Sequence, residues 1–249
     1  MLLWLWKDDS MNKTKFKIMS YNTQHCLDYI NQRIDFDLIA NTIKNCGADI
    51  IGLQEIRGEG PREDYVDQIK ILSEKTGFNY YFAEAIKVEG TNPYGNAILS
   101  RFPIINAETI AIPDPEVKKY EDGYESRCIL KAKIDVAGGL NVLVSHFGLN
   151  KDEQKNAVST VLENLPNEKC VFMGDLNMKP KSRILKPVKE RLFDTAERFE
   201  SKKLSYPSDK PKAKIDYIFT TNDLNIISAD IPAIVSSDHR PHVATIEIK

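Results

Sequence analysis

The 249-residue sequence is short of the features that mark secreted, zinc-bound or membrane proteins. Its four cysteines, Cys26, Cys46, Cys128 and Cys170, are scattered, with no CxxC pair. That spacing fits neither a zinc site nor a disulfide framework and points to free thiols in a reducing compartment. No apolar run is long enough to span a bilayer. The opening run Met1-Leu2-Leu3-Trp4-Leu5-Trp6 is too short for a signal-peptide core and lacks a basic stretch before it. A cytoplasmic location is the expectation. The run reads either as a patch that packs on the domain or as a stretch preceding a start at Met11, and residues 1–14 are set apart as an N-terminal extension. A strongly basic balance is also missing. The net charge is −2, which argues against a general nucleic-acid coat protein. Repeats and low-complexity tracts are absent as well. What is present is ordinary globular composition, 42% apolar and 28% charged, enough to bury a sizeable core in one domain over residues 15–249.

Along the chain, strands alternate with helices. Phe16 to Asn22 alternates as a strand, and Asp35 to Cys46 carries apolar residues at helical spacing before the stop at Gly47. Asp49 to Ile56 is apolar on both faces, as a buried strand is. This strand–helix–strand order with a short crossover suggests parallel pairing. Glu63 to Thr76 is predicted as a second helix. Short strands follow at Tyr80–Phe82 and Asn96–Ser100, and a long loop rich in acids and prolines occupies 111–126. Cys128 to Val136 and Leu140 to Phe147 read as a hairpin turned at Gly138-Gly139, and Asp152 to Leu165 as a third helix. Residues 181–200 are predicted to be largely helical, and strands at Lys214–Thr220, Asn225–Ala229 and Val243–Lys249 close the chain. Strands outnumber helices, which suits two sheets packed face to face with helices outside better than one doubly wound sheet.

Chemistry concentrates at strand ends. In Val171-Phe172-Met173-Gly174-Asp175-Leu176-Asn177, an apolar strand closes on two short polar side chains. Residues two apart in an extended chain point to one side, so Asp175 and Asn177 would be aimed together from the lip of a buried strand. A turn in which both merely bond their own backbone is the alternative. Asn22, Glu55 and His146 close other strands, Asp216 sits inside the apolar Ile215–Phe219, and Ser237-Asp238-His239-Arg240 precedes the last strand. A buried Asp216 needs a partner. The set holds carboxylates, amides and histidines, without a thiolate nucleophile or a Gly-rich phosphate cradle. Oxygen-rich donors of this kind suit Mg²⁺ or Mn²⁺, and a hard cation with His and Asn donors is what cleavage of a phosphate ester requires.

Seven motifs in order carry a resemblance. They are Met19-Ser20-Tyr21-Asn22, Leu53-Gln54-Glu55, Tyr94 through Arg101, Ser145-His146-Phe147, Gly174-Asp175-Leu176-Asn177, Ile215-Asp216-Tyr217-Ile218 and Ser237 through Pro241. Together they resemble the endonuclease/exonuclease/phosphatase superfamily, also called DNase I-like, in its short bacterial metal-dependent hydrolase form. The resemblance implies a four-layer α/β sandwich, two mixed β-sheets face to face flanked by helices, and a divalent-metal phosphoesterase. It implies Glu55 as the principal metal ligand, with Asn22 and Asp238 completing or supporting the shell. It gives Asp175 the task of orienting and deprotonating water, and Asn177 and His146 that of holding phosphate oxygens. His239 would contact the scissile phosphate with Asp216 behind it, while Arg127 and His25 would face the substrate.

The substrate is read from charge. Residues 179–214 hold twelve Lys or Arg against five acids, either a basic wall for an anionic substrate or an ordinary solvated face. The loop 111–126 leans acidic, which would repel a long polynucleotide. A small anionic or lipid-headgroup-like phosphate ester is therefore expected ahead of long nucleic acid. The competing readings are an abasic-site or structure-specific DNA endonuclease and a non-catalytic binding protein on the same scaffold.

Overall fold

Burial on both faces dictates where the central strands lie. In the computed structural model, which describes residues 14–121 and 123–248, the first strand β1 (Thr14–Asn22) buries Phe16 and Ile18 on one face and Met19 and Tyr21 on the other. Most of the expected N-terminal extension, together with Asp122 and with Lys249, where the last strand is expected to end, lies outside the described residues; Thr14 already belongs to β1. A small hairpin, β2 (Leu27–Asp28) and β3 (Arg33–Ile34), leads to helix α1 (Phe36–Cys46). The Asp35 carboxylate caps that helix by accepting from Leu38 N at 2.9 Å, and Gly47 ends it in the left-handed conformation, φ 62°. Then follow β4 (Ile50–Arg57), α2 (Gln68–Thr76), β5 (Asn79–Val88), β6 (Asn92–Ser100) and β7 (Ile104–Ile112). Beyond the acidic loop come β8 (Arg127–Ile134), β9 (Leu140–His146), α3 (Lys151–Asn164) and β10 (Cys170–Asp175). The chain closes with α4 (Lys186–Arg191), β11 (Phe193–Asp194), β12 (Asp216–Thr220), β13 (Asn225–Asp230) and β14 (His242–Ile248).

Two six-stranded sheets result, ordered β13-β14-β1-β4-β6-β5 and β11-β12-β10-β9-β8-β7. Each is mixed and contains one central parallel pair joined through a helix: β1 and β4 around α1, and β9 and β10 around α3. Three apolar layers fix the stacking. Ile18, Ile50, Val144, Met173 and Ile218 meet between the sheets. Met19, Tyr21, Leu53, Ile39 and Ile69 join the first sheet to α1 and α2, and Leu143, Phe172, Val158 and Val188 join the second to α3 and α4. Helix, sheet, sheet, helix is the four-layer arrangement expected. Gly52 permits the close approach of the sheets, because a Cβ there would lie 2.9 Å from Val144 Cγ2.

Two expectations need correction. The second helix starts at Gln68 rather than Glu63, because Arg57 and Arg62 both grip Asp64, at 2.8 and 2.9 Å, and lie over the Tyr65 ring. That pins residues 63–65 as a loop, and Asp67 caps the helix that follows. Within 181–200 only Lys186–Arg191 is α-helical, flanked by short 3₁₀ turns and β11. The edge strand β7 carries no expectation from the sequence. It is largely exposed and so lacks the apolar alternation that marks a buried face.

Candidate active site

The side chains singled out in the sequence gather where the two parallel pairs end. Parallel strands expose their C-terminal edges together, and in layered α/β folds that edge is where ligands bind. Asn22 and Glu55 end β1 and lie near the end of β4, while His146 and Asp175 end β9 and β10. In the second sheet Asp175 stands abreast of His146 on one side and of Asp216 on the other. Gly174 makes that register possible, since a side chain there would collide with the Ser145 carbonyl oxygen of the neighbouring strand. The backbone of Phe147 donates to the Asp175 carbonyl at 2.9 Å and extends the parallel pairing past the strand end.

Asp175 is buried, and its two oxygens do different work. Oδ1 accepts from the backbone N–H of Asn177 at 3.0 Å. Asn177 itself is left-handed, φ 50°, so a short turn brings the two side chains to one side, not the pleat of a strand. The turn expected as the alternative is thus present, and the site is built on it. Oδ2 faces inward, 3.2 Å from Asn22 Nδ2, 3.5 Å from His239 Nε2 and 3.6 Å from His146 Nε2. Burial pushes the Asp175 carboxyl up to about 7, against the pull of the neighbouring His239.

The two histidines are held in opposite states. His239 Nδ1 lies 2.9 Å from Asp216 Oδ2. Burial alone would lower it, but the Asp216 and Asp175 carboxylates raise His239 to about 10, an imidazolium at neutral pH. This pairing is the partner that a carboxylate inside an apolar strand requires. His146 Nδ1 instead lies 3.1 Å from Arg127 Nη1, a group that only donates. The ring nitrogen facing Arg127 must accept, which places the proton of a neutral imidazole on Nε2. Burial first, then the Arg127 charge, holds His146 well below its ordinary value. Asn177 Nδ2 donates to the Phe147 carbonyl at 2.9 Å, which fixes its amide, and sits 3.2 Å from His146 Nε2. Two donors side by side cannot satisfy each other. They converge on one place where an oxygen of a ligand would accept from both.

Across the cleft the first sheet supplies oxygen. Pairing of β4 shifts between Leu53 and Ile56, and Glu55 sits in that irregularity at φ 60°. Its Oε1 accepts from Asn22 Nδ2 at 2.9 Å. The Asn22 Oδ1 accepts from Gln24 N at 3.1 Å, so Asn22 bridges Glu55 and Asp175 as a donor. Asp238 accepts from the Ser237 hydroxyl at 3.1 Å, and burial, with Glu55 nearby, raises its carboxyl. Glu55 and Asp238 are thus near enough to act on one another as like charges, and Asn22 links Glu55 to Asp175. That donor set fits a hard divalent cation held by Glu55 and Asp238, with Asn22 behind them. Asp175, Asp216 and His239 also lie within 4.8 Å of one another. There, however, the close Asp216–His239 bond occupies the atoms a metal would use.

Two expected substrate residues have specific settings. Arg127 is mostly buried, joined to Glu125 at 2.9 Å and to His146, so it touches the site through that histidine. His25 is half-buried within Gln24-His25-Cys26, three successive left-handed residues, and burial followed by Arg57 lowers it. Two further residues carry no assignment from the sequence. Tyr94 lies beside Glu55, and burial, followed by the Glu55 charge, raises its hydroxyl strongly. Tyr206 lays its ring 4.8 Å from that of His239. Both lie in segments whose motifs were visible, Tyr94-Gly95-Asn96 and Ser205-Tyr206-Pro207, but nothing in their spacing points at the cleft.

A family model described as Endonuclease/Exonuclease/phosphatase family matches residues 19–239. The Uncharacterized protein YbhP of Escherichia coli (strain K12) is 25% identical over 264 residues, which cover 96% of this chain and 99% of that one. The endonuclease/exonuclease/phosphatase structure from Beutenbergia cavernae DSM 12333 is similar with a TM-score of 0.76 at 20% identity, over 94% of this chain and 72% of its own. The mannosyl-6-phosphatase Bt3783 of Bacteroides thetaiotaomicron VPI-5482 is similar with a TM-score of 0.75 at 18% identity, over 93% and 99%. At these identities the structural likeness speaks for the fold.

Proposed function

The chain belongs to the endonuclease/exonuclease/phosphatase family, and we propose that it hydrolyses a phosphate ester, diester or monoester, with Mg²⁺ or Mn²⁺ at Glu55 and Asp238. The observation that carries this reading is Asp175: a buried carboxylate raised to about 7, with Asn22, His146 and His239 nitrogens within 3.6 Å. A base of that strength is matched to neutral pH. Asp175 takes a proton from the attacking water as its oxygen forms the new bond to phosphorus and the ester P–O bond breaks. His239, kept cationic by Asp216, donates from Nε2 to a phosphate oxygen. His146 Nε2–H and the Asn177 amide donate to another, and Arg127 holds the His146 proton where that donation needs it. The bound cation would supply charge neutralisation on the phosphate and acidify water.

A small anionic or lipid-headgroup-like substrate is favoured over long nucleic acid. Support comes from the acidic loop, whose Glu125 reaches the site through Arg127. The fold shared with the mannosyl-6-phosphatase Bt3783 supports including sugar phosphates among the candidates. No helix among the described residues is long and apolar enough to cross a membrane. The test is a panel of bis(p-nitrophenyl) phosphate, p-nitrophenyl phosphate, sugar phosphates and abasic-site DNA, each with Mg²⁺ or Mn²⁺. Turnover of a small ester above that of abasic-site DNA is expected. A preference for the DNA would overturn the substrate class, and no turnover on any member would overturn the activity.

A further inference from the structure

Six of the lysines in residues 179–214 converge in space. Lys179, Lys181, Lys202, Lys203, Lys212 and Lys214 line one cavity of about 540 Å³, and no acidic side chain lines it. Among the described residues, only Lys203 and Lys214 of these have a carboxylate partner, Asp230 at 2.9 Å and Asp194 at 3.7 Å. Like charges around one hollow repel one another and raise the local concentration of anions. The remaining wall is largely apolar, with Phe199, Leu204 and Ala213 among its members.

Lys214 separates this cavity from an ordinary solvated lysine face. Its side chain is only 6% exposed, and its ammonium faces the buried Asp194 carboxylate at 3.7 Å, beyond hydrogen-bond distance, with no closer acceptor. It lies 3.4 Å from the centre of the Tyr217 ring. With one carboxylate at that distance and a ring face as its other neighbour, this buried cation keeps N–H donors that a second anion in the cavity would accept from.

The chain carries the walls of the cavity back to the catalytic residues within a few positions. Lys179 follows Asn177 by two residues and Lys214 precedes Asp216 by two, each at most about 7 Å of chain. The Tyr217 hydroxyl donates to the Met178 carbonyl at 2.7 Å and ties those two approaches together. Tyr206, whose ring rests on His239, is bridged to Ala213, and Ala213 lines the cavity. One segment therefore touches the catalytic histidine and walls the lysine-rich hollow.

We propose that this cavity binds an organic phosphate, an anionic group carried on an apolar body. On the phosphoesterase reading, on which this last step rests, that ligand is the non-reacting part of the substrate beyond the scissile phosphate. An inorganic anion would meet the lysines and leave the apolar wall wet, and a purely apolar ligand would do the reverse. The apolar body is either a flat ring system or an alkyl chain, and the volume suits one small molecule.

The experiment uses amide NMR shifts of the full-length, metal-free protein titrated with adenosine 5′-monophosphate, hexyl phosphate and inorganic phosphate. At least one organic phosphate should shift the amides of Phe199, Leu204 and Ala213, with affinity tenfold or more above that of inorganic phosphate. The adenosine and hexyl arms tell ring from chain. In the double variant Lys202→Glu/Lys212→Glu, altered at two exposed positions and checked for an unchanged core spectrum, that affinity should fall at least tenfold. Shifts confined to the surroundings of His146 and Asn177, or unchanged affinity in the double variant, would overturn the proposal. The readout needs no turnover. Cavity binding by a protein inactive on every ester would refute the catalytic reading and the substrate assignment, leaving an organic-phosphate site.

Discussion

His146 and His239 both lie within 3.6 Å of Asp175, yet their neighbours drive the three groups to different proton states. Pairs of titratable groups pushed apart by their surroundings mark acid and base roles. His239 owes its charge to Asp216, so Asp216→Asn should lower the His239 pKa from about 10 and reduce kcat by about 10²-fold or more. A ring that titrates as in the unmodified protein would contradict the pairing. Arg127 acts at one remove, by holding the His146 proton on Nε2. In Arg127→Met the imidazole ¹⁵N shifts of His146 should lose the pattern of an Nδ1 acceptor. The value of kcat should fall by up to about 10²-fold, with partial rescue in Arg127→Lys. Unchanged ¹⁵N shifts in Arg127→Met would refute the tautomer lock. None of this follows from residue type alone. Sequence shows that Asp216 in Ile215–Phe219 needs a partner, but not that Arg127 finds His146, a contact between neighbouring antiparallel strands whose register the sequence leaves open.

Strand ends, more than strands, make the site. A buried parallel strand is written as a continuous apolar run that stops at a polar residue, which is why Asn22, Glu55, His146 and Asp175 are visible in the sequence. Local conformation is not written that way. The left-handed Asn177 and Glu55, at φ 50° and 60°, turn their side chains by backbone geometry that no alternation of residue types reveals. The start of α2 is set by arginines gripping Asp64, and the edge strand β7 buries too little to leave a pattern. Gly174 is the element-scale keystone, because its backbone lies against Ser145. Gly174→Ala should destabilise the protein by about 1–3 kcal/mol, measured by urea unfolding, and impair turnover while the protein is still folded. Wild-type stability and kcat together would show that β9 and β10 need no such approach.

Two sheets, each contributing one half of the site, make stability and chemistry share the same buried groups. His242, at the start of β14, is fully buried, and burial holds it well below its ordinary value. The unfolded chain protonates this histidine as pH falls through about 6.5, whereas the folded protein does not. Its stabilising contribution is therefore complete above that pH and lost below it, at up to about 1.4 kcal/mol per pH unit. His239 has the opposite sign, with a contribution complete below about 6.5 and lost as pH rises through about 10. The stability gap between wild type and His242→Gln, from urea midpoints in chelator, should narrow by about that slope between pH 6.5 and 5. A gap constant over that range would mean that His242 charges in the folded state. The layer order is legible because three apolar faces demand three partners, while the lysine-lined cavity is not, since it forms only when residues 179–181 meet 202–214. The proposed chemistry turns on Asp175 as the base of a metal-dependent phosphoesterase. The direct measurement is the turnover of bis(p-nitrophenyl) phosphate by wild type and by Asp175→Asn, with chelator and then with Mg²⁺ or Mn²⁺ restored. Wild type should turn the ester over, lose turnover in chelator and regain it with metal, and the folded variant should be at least about 10²-fold slower. A variant as fast as wild type, or turnover indifferent to chelator, would contradict that chemistry.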